Sequence, residues 1–242
     1  MDENKVIANV SVNLMDFKVL GQERRYIQIG TVMTDPAYRN KGLSKFLMEK
    51  VLDEWKDQCD AIYLFANDSA RKFYPQFGFE EAIEYQCMQS INKKDTEVAV
   101  RALNIDNTED LALLLRCYQA SNPFSALSME KNTGLLMFYC SSFMKEDIYY
   151  IDAYDTVAIA TFNEDTMILH DVFGESKASL EDIINVVARK STKTVVLGFT
   201  PENREGYNSS ILDEEDLTLF IMKDKENIFK KHEIMFPTLS HA

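Results

Sequence analysis

The 242-residue sequence predicts an α/β protein built on mixed sheets and arranged as two tandem domains. Three observations carry that reading. Strand-like alternation and helical stripes succeed one another in short segments along the whole chain. The charge is uneven: residues 1–95 hold 13 Lys and Arg against 15 Asp and Glu, and residues 96–242 hold 13 against 24. The polar run Asn92-Lys93-Lys94-Asp95-Thr96 lies where the two compositions meet, which sets the expected domains at 1–95 and 96–242.

In the first domain, Val6 to Leu14 places apolar residues at every second position and reads as a strand. The polar stretch Lys18–Arg24, with Gly21, reads as a hairpin connection to a second strand, Tyr26–Met33. Thr34-Asp35-Pro36 stops that strand, because proline cannot donate to a ladder. Leu43 to Lys56 is an expected helix with Leu43, Phe46, Leu47 and Val51 on its apolar face. The run Ala61–Phe65 predicts a buried strand. Asn67 and Asp68 then read as the N-cap of an expected short helix, Ser69–Phe77, which Gly78 ends, and Ile83–Met88 is a further strand.

The second domain begins with an expected strand at Val98–Leu103. Helices follow from about Thr108 to the break at Ser121-Asn122-Pro123, and over Met129–Met144. Ile148–Ile151, Thr156–Phe162 and Met167–Phe173 read as three strands. Ser179–Lys190 is a helix with Ser179 and Asp182 spaced as a capping box, and Thr194–Phe199 and Leu217–Met222 are strands. With its opening β-α-α set aside, this order echoes that of the first domain.

Composition excludes several classes. A net charge of −13 repels phosphate backbones, so no nucleic-acid partner is expected. Cys59, Cys87, Cys117 and Cys140 are far apart in sequence and form no C-x-x-C, which excludes the usual zinc spacing and points to reduced thiols. No apolar run approaches a membrane span, and the start MDENKVIANV is acidic where a secretory leader is basic. A cytoplasmic protein without a membrane partner is the expectation, with room for a homo-oligomer. No Walker motif, Rossmann G-x-G-x-x-G or G-x-S-x-G is present, so His170 reads as a structural histidine. The acidic run Asp213–Asp216 lacks EF-hand spacing and reads as a solvated turn; no metal site is expected.

The chemistry concentrates in Ile27–Ser44, where a strand, a short loop with Arg39, Lys41 and Gly42, and a helix opening at Leu43 follow in order. The free N–H groups of a helix N-terminus, with two cations beside them, suit a phosphate or pyrophosphate. Gly42 permits close backbone approach. By spacing alone an ordinary strand–loop–helix connection stands beside that reading.

Arg39-Asn40-Lys41-Gly42-Leu43-Ser44 resembles the Q/R-x-x-G-x-G/A signature of the GNAT acetyltransferase superfamily, with Ser44 standing at the last small position. Val32 to Tyr38 resembles the V-x-P-x-Y-R run before that signature. The segment from Asn67 to Phe79 resembles its N-x-x-A-x-x-F/L-Y-x-x-x-G-F. The resemblance covers about residues 1–95 and implies a GNAT-like acyl-CoA N-acyltransferase fold. It implies acetyl-CoA as co-substrate and direct attack by a primary amine, on a small molecule or a peptide. It also implies roles. An N–H near Val32 would meet the oxyanion, and main-chain groups of Met33 and Thr34 would pair with the pantetheine arm. Residues Arg39, Asn40, Lys41, Gly42, Leu43 and Ser44 would hold the pyrophosphate. Asn67 would contact the arm, and Tyr74 would protonate the departing thiolate. Glu23 and Gln28 stand as candidates for relaying the amine's proton, with nothing to choose between them.

The second half carries no such motif. Asp171 to Ala178 has one glycine and two acids where a pyrophosphate loop would stand, and Thr200-Pro201-Glu202-Asn203 replaces the N-x-x-A segment. It reads as a GNAT-like half without CoA binding; an unrelated α+β domain is the alternative. The family's opening β-α-α has no counterpart before the first strand, and the helices at 108–120 and 129–144 are candidates for that wall. A non-catalytic CoA sensor and a structural GNAT-like protein are the rival functions. Finally, Ile234 to Leu239 is too apolar for a solvated tail, so it is expected to dock on the protein. By resemblance to tandem GNAT proteins, Ala242 is a candidate to bring a carboxylate into the site as a base.

Overall fold

The computed structural model describes residues 5–242. Met1–Asn4, part of the acidic start, lie outside the described residues. The first half supplies β1 (Ala8–Val19), β2 (Gln22–Thr34), α1 (Leu43–Trp55), β3 (Ala61–Ala66), β4 (Phe79–Glu81) and β5 (Tyr85–Ser90). The second supplies β6 (Arg101–Ala102), α2 (Thr108–Gln119), β7 (Leu127–Glu130), α3 (Thr133–Ser142), β8 (Ile148–Ile151), β9 (Thr156–Asn163), β10 (Thr166–Phe173), α4 (Leu180–Val187), β11 (Thr194–Leu197), β12 (Asn208–Ile211) and β13 (Thr218–Met222).

The strands form two mixed sheets, ordered β4-β13-β3-β2-β1-β7 and β12-β5-β11-β10-β9-β8-β6. The same unit recurs in both: an antiparallel hairpin, a helix, then a strand parallel to the hairpin's second strand. Each unit is completed by a strand from the other half of the chain. In the first sheet β13 lies between β3 and β4; in the second, β5 lies between β11 and β12. Residue 95 is therefore no division between sheets. The stretch around it is also no free linker: Lys94 N–H donates to Asn185 Oδ1 at 2.8 Å, and Lys93 Nζ reaches the carbonyl of Asn185.

Several elements differ from the sequence reading for identifiable reasons. α1 buries Met48 and Leu52 and leaves Phe46 55% exposed, so its inward face is rotated from the expected one. The segment after Asn67 forms two 3₁₀ turns, Asp68–Ala70 and Tyr74–Phe77, in place of one helix. Pro75, inside the second turn, lacks the N–H that an α-helix would use there. Asn67 does cap the first turn, and Gly78 closes the second at φ 87°. The expected helix over Met129–Met144 is a strand and a helix: β7 pairs with β1, and Asn132 caps α3 by accepting Leu135 N–H at 3.1 Å. The expected strand Val98–Leu103 shrinks to Arg101–Ala102, and Asn208–Ile211 is a strand without alternation in its sequence. The helices α2 and α4 form as expected, α4 with its capping box complete.

One core lies between α1 and its sheet, built from Ile27, Ile29, Met48, Leu52, Ile62 and Leu64. A larger one joins residues of both halves, among them Phe17, Tyr63, Leu127, Ile148 and Phe173. The tail is part of it: Ile234, Phe236 and Leu239 are each at most 1% exposed. Phe236 stacks on Tyr63 with centroids 4.1 Å apart. Burial of each such side chain contributes about 1.5–3 kcal/mol, which explains why the tail docks.

Candidate active site

β2 and β3 run parallel and paired only from Tyr26 to Gln28 against Ala61 to Tyr63. Beyond that point β2 stays with β1 as far as Thr34, and β3 stays with β13 as far as Ala66, so the two strands part. A β-bulge sits where they diverge. Val10 pairs with Val32 and Val12 with Ile29, leaving Gly30 and Thr31 opposite Ser11 alone. Bulges bend a strand and re-aim its groups. The resulting cleft, about 420 Å³, is walled by Ile29–Val32 on one side and by Phe65–Asn67 on the other.

In the second sheet the matching position is filled. β10 and β11 pair from Thr166 to Leu169, and Gly198 then donates to Leu169 O at 2.8 Å. Thr238 of the tail donates in turn to Gly198 O at 2.8 Å, so a cleft of this kind does not open there.

The loop that carries the Arg39–Ser44 signature leads from the end of β2 into α1. Gly42 is the N-cap of α1 at φ 76°, and Asn40 also has positive φ, 61°. A Cβ on Gly42 would meet no protein atom within 4 Å, so the space outside the helix N-terminus is open. Arg39, Asn40 and Lys41 are exposed, with Lys41 Nζ 4.6 Å from the centroid of the Tyr38 ring. Ser44, at the signature's last position, lies 2.7 Å from Thr34 Oγ1, so its hydroxyl ties α1 to the end of β2. Leu43 opens α1 and is half-buried; Met33, next to Thr34, is 50% exposed.

Asn67 and Tyr74 both line the cleft, as does Val32. Asn67 Oδ1 accepts from Ala70 N at 3.1 Å and from Ser69 Oγ at 2.8 Å, which leaves its Nδ2 as a donor for a ligand. Tyr74 is 6% exposed, packed by Phe73, Phe79 and Phe220, and its hydroxyl has no partner among the described residues. Burial pushes its pKa up, so the phenol holds its proton more firmly than usual.

Gln28 and the tail line the cleft as well. Gln28, 2% exposed, lies in the cleft and grips Ala242. His241 stacks on Phe65 at 4.1 Å between centroids, and burial lowers its pKa to about 4. Its carbonyl accepts from Tyr139 Oη at 2.8 Å. Glu23, the other candidate for proton relay, sits beside the hairpin turn at the far end of β2, with its side chain 89% exposed and 3.9 Å from Lys131. It is removed from the cleft. His170 is held between Thr161 and Thr238, in keeping with a structural role. Among the described residues no cluster of His, Cys, Asp or Glu could hold a metal, and no helix is long and apolar enough to cross a membrane.

A parted parallel strand pair, a bulge at the parting and a glycine-capped helix beside it frame the cleft. Residues 1–82 match the family described as "Acetyltransferase (GNAT) domain". Solved structures agree over most of the chain. A GCN5-related N-acetyltransferase from Kribbella flavida is 15% identical with TM-score 0.56, covering 91% of this chain and 58% of its own. A probable N-acyltransferase from Enterococcus faecalis V583 is 16% identical with TM-score 0.59, covering 90% and 59%. Eis1 from Mycobacterium abscessus is 11% identical with TM-score 0.55, covering 90% and 63%. The chain thus spans about three-fifths of the length of these relatives. Among curated proteins no sequence matches. Residues 1–82 thus match the GNAT acetyltransferase sequence domain, and the fold over most of the chain is similar to that of these solved structures.

Proposed function

We propose that the protein transfers an acetyl group from acetyl-CoA to a primary amine, and that the cleft between β2 and β3 is where it does so. The observation that carries the reading is Tyr74, a buried side chain that lines the cleft in the parting of two parallel strands, with the Gly42-capped helix alongside. The open N-terminus of α1, with Arg39 and Lys41 exposed beside it, suits the pyrophosphate; Asn40, Leu43 and Ser44 shape that loop. Met33 and Thr34 offer main-chain groups to the pantetheine arm, and Asn67 Nδ2 offers a donor from the opposite wall.

In the reaction the amine nitrogen attacks the thioester carbonyl, and the oxyanion takes an N–H donor from the bulged end of β2 near Val32. The carbon–sulfur bond breaks, and Tyr74 passes its proton to the departing thiolate. The nitrogen must also lose a proton. Water in the open cleft, which Gln28 lines, takes that proton. The amine belongs to a small molecule or a peptide. Four cysteines, all unpaired, fit a reducing cytoplasmic setting.

Calorimetric titration with acetyl-CoA, followed by thiol release across an amine panel, tests the reading. Binding with amine-dependent thiol release supports it. Binding without release favours a sensor, and no binding favours a structural role.

A further inference from the structure

A second cavity, about 200 Å³, adjoins the reaction cleft and shares Phe65 and Leu217 with it. Glu84 lines it and is 8% exposed; its Oε1 accepts the Phe236 N–H at 2.7 Å. No cation faces this carboxyl in an ion pair among the described residues, and the same holds for Asp213 and Glu214 in the same cavity. Arg71 also lines the cavity, but both oxygens of Glu81 engage it at 2.9 Å. Burial, reinforced by the charge of Glu214, pushes the Glu84 carboxyl up to about 8.

With the cavity empty this carboxyl keeps its proton; an ammonium group beside it favours the carboxylate form and pairs with it. The rest of the cavity adds a second requirement. Ile83 and Ile211 line it and are 52% and 58% exposed, which is unfavourable until an apolar group covers them. One chemistry meets both conditions: a positively charged nitrogen carried on an apolar chain. Because Phe65 and Leu217 line both spaces, a ligand lying across them extends from the cleft into the cavity that Glu84 lines.

We propose that the acceptor is a linear diamine: one nitrogen attacks in the cleft, the apolar chain crosses Phe65 and Leu217, and the second, ammonium nitrogen lies against Glu84 and Glu214. This rests on the acetyl-transfer reading of the cleft. Glu84 then acts as a specificity-determining residue, remote from the reacting atoms.

The test measures thiol release with linear diamines of increasing length and monoamines matched to each, alongside acetyl-CoA calorimetry on the same samples. Glu84→Gln keeps an oxygen for the Phe236 N–H, and Glu214→Gln, at a loop position, is a second variant that does not disturb the core. The expected result is a diamine preference of about tenfold or more in kcat/KM, equivalent to about 1.4 kcal/mol. Glu84→Gln should bring the diamine-to-monoamine ratio close to one, chiefly through KM, and Glu214→Gln should reduce it. Acetyl-CoA binding and turnover with no diamine preference, or a preference that survives both substitutions, would overturn the acceptor assignment alone. Absence of acetyl-CoA binding and of thiol release with every amine would overturn the acetyl-transfer reading and this proposal together.

Discussion

The side-chain amide of Gln28 pairs with both backbone groups of Ala242: Nε2 donates to the carbonyl at 3.3 Å, and Oε1 accepts the N–H at 3.1 Å. A residue near the middle of β2 thus holds a residue 214 positions later, in the manner of a neighbouring strand. Tyr63 Oη adds a contact to Gln28 Oε1 at 3.4 Å, and the His241 ring on Phe65 adds a stacked face. The tail is thereby a wall of the cleft as well as a filler of the core.

Gln28→Leu removes the amide while keeping bulk. It leaves Ala242 and Tyr63 without their buried partner, at a cost of about 1–3 kcal/mol. We expect hydrogen exchange at residues 238–242 to rise and the unfolding midpoint to fall, with slower amine turnover because the wall is loosened. Unchanged exchange protection in this segment would remove Gln28 as its anchor.

Gly42→Val tests the anion site. Its φ of 76° is strained for a β-branched residue, and its Cβ would project into the open space outside α1. Gly42→Asn separates the two effects, because asparagine tolerates left-handed backbone. Both variants should weaken acetyl-CoA binding by about tenfold or more if the pyrophosphate approaches here. Wild-type affinity in both would show that the loop does not hold it.

Tyr74→Phe leaves the packing against Phe73, Phe79 and Phe220 in place and deletes a hydroxyl that no described residue uses. Folding and acetyl-CoA affinity should change little. Turnover should fall by ~10²–10⁴-fold, the range of a lost general acid. A chemistry-limited assay that finds wild-type turnover in this variant takes Tyr74 out of the mechanism.

How much of this was legible in the sequence follows from where each signal is stored. Gly42, Asn67 and Gly78 were readable because caps and left-handed glycines are local. The strand exchange was not, because periodicity says that Leu217–Met222 is a strand but not which sheet receives it. Leu127–Glu130 overlaps the expected helix Met129–Met144, and the Asn132 cap is what separates this strand from α3. Gln28 and Glu84 matter through partners 214 and 152 positions away, a relation that no local pattern records. The tail was readable as docked from its composition, and the place of Ala242 at the site only through the family resemblance.

Asp171, on β10, carries a consequence for stability against pH. It is 3% exposed, and its Oδ1 accepts from Asn122 Nδ2 at 2.6 Å and from Val172 N at 2.9 Å. Burial is the larger influence and pushes its pKa up to about 7. The unfolded chain ionises this group near the ordinary carboxylate value, ~3.9, while the folded chain keeps its proton to about pH 7. The folded state therefore binds more protons across that window. The stabilisation is fully present below about pH 4 and is lost as pH rises to about 7. Glu84, pushed up to about 8 by burial, acts in the same direction. Asp171→Asn keeps an oxygen for both donors and removes the titration. Denaturant unfolding measured from about pH 4 to pH 8 should then show a shallower decline, by up to ~1.4 kcal/mol per pH unit in the middle of the range. The variant should gain on the wild type as pH rises. Parallel pH profiles for the two proteins would mean that Asp171 is ionised in the folded state throughout.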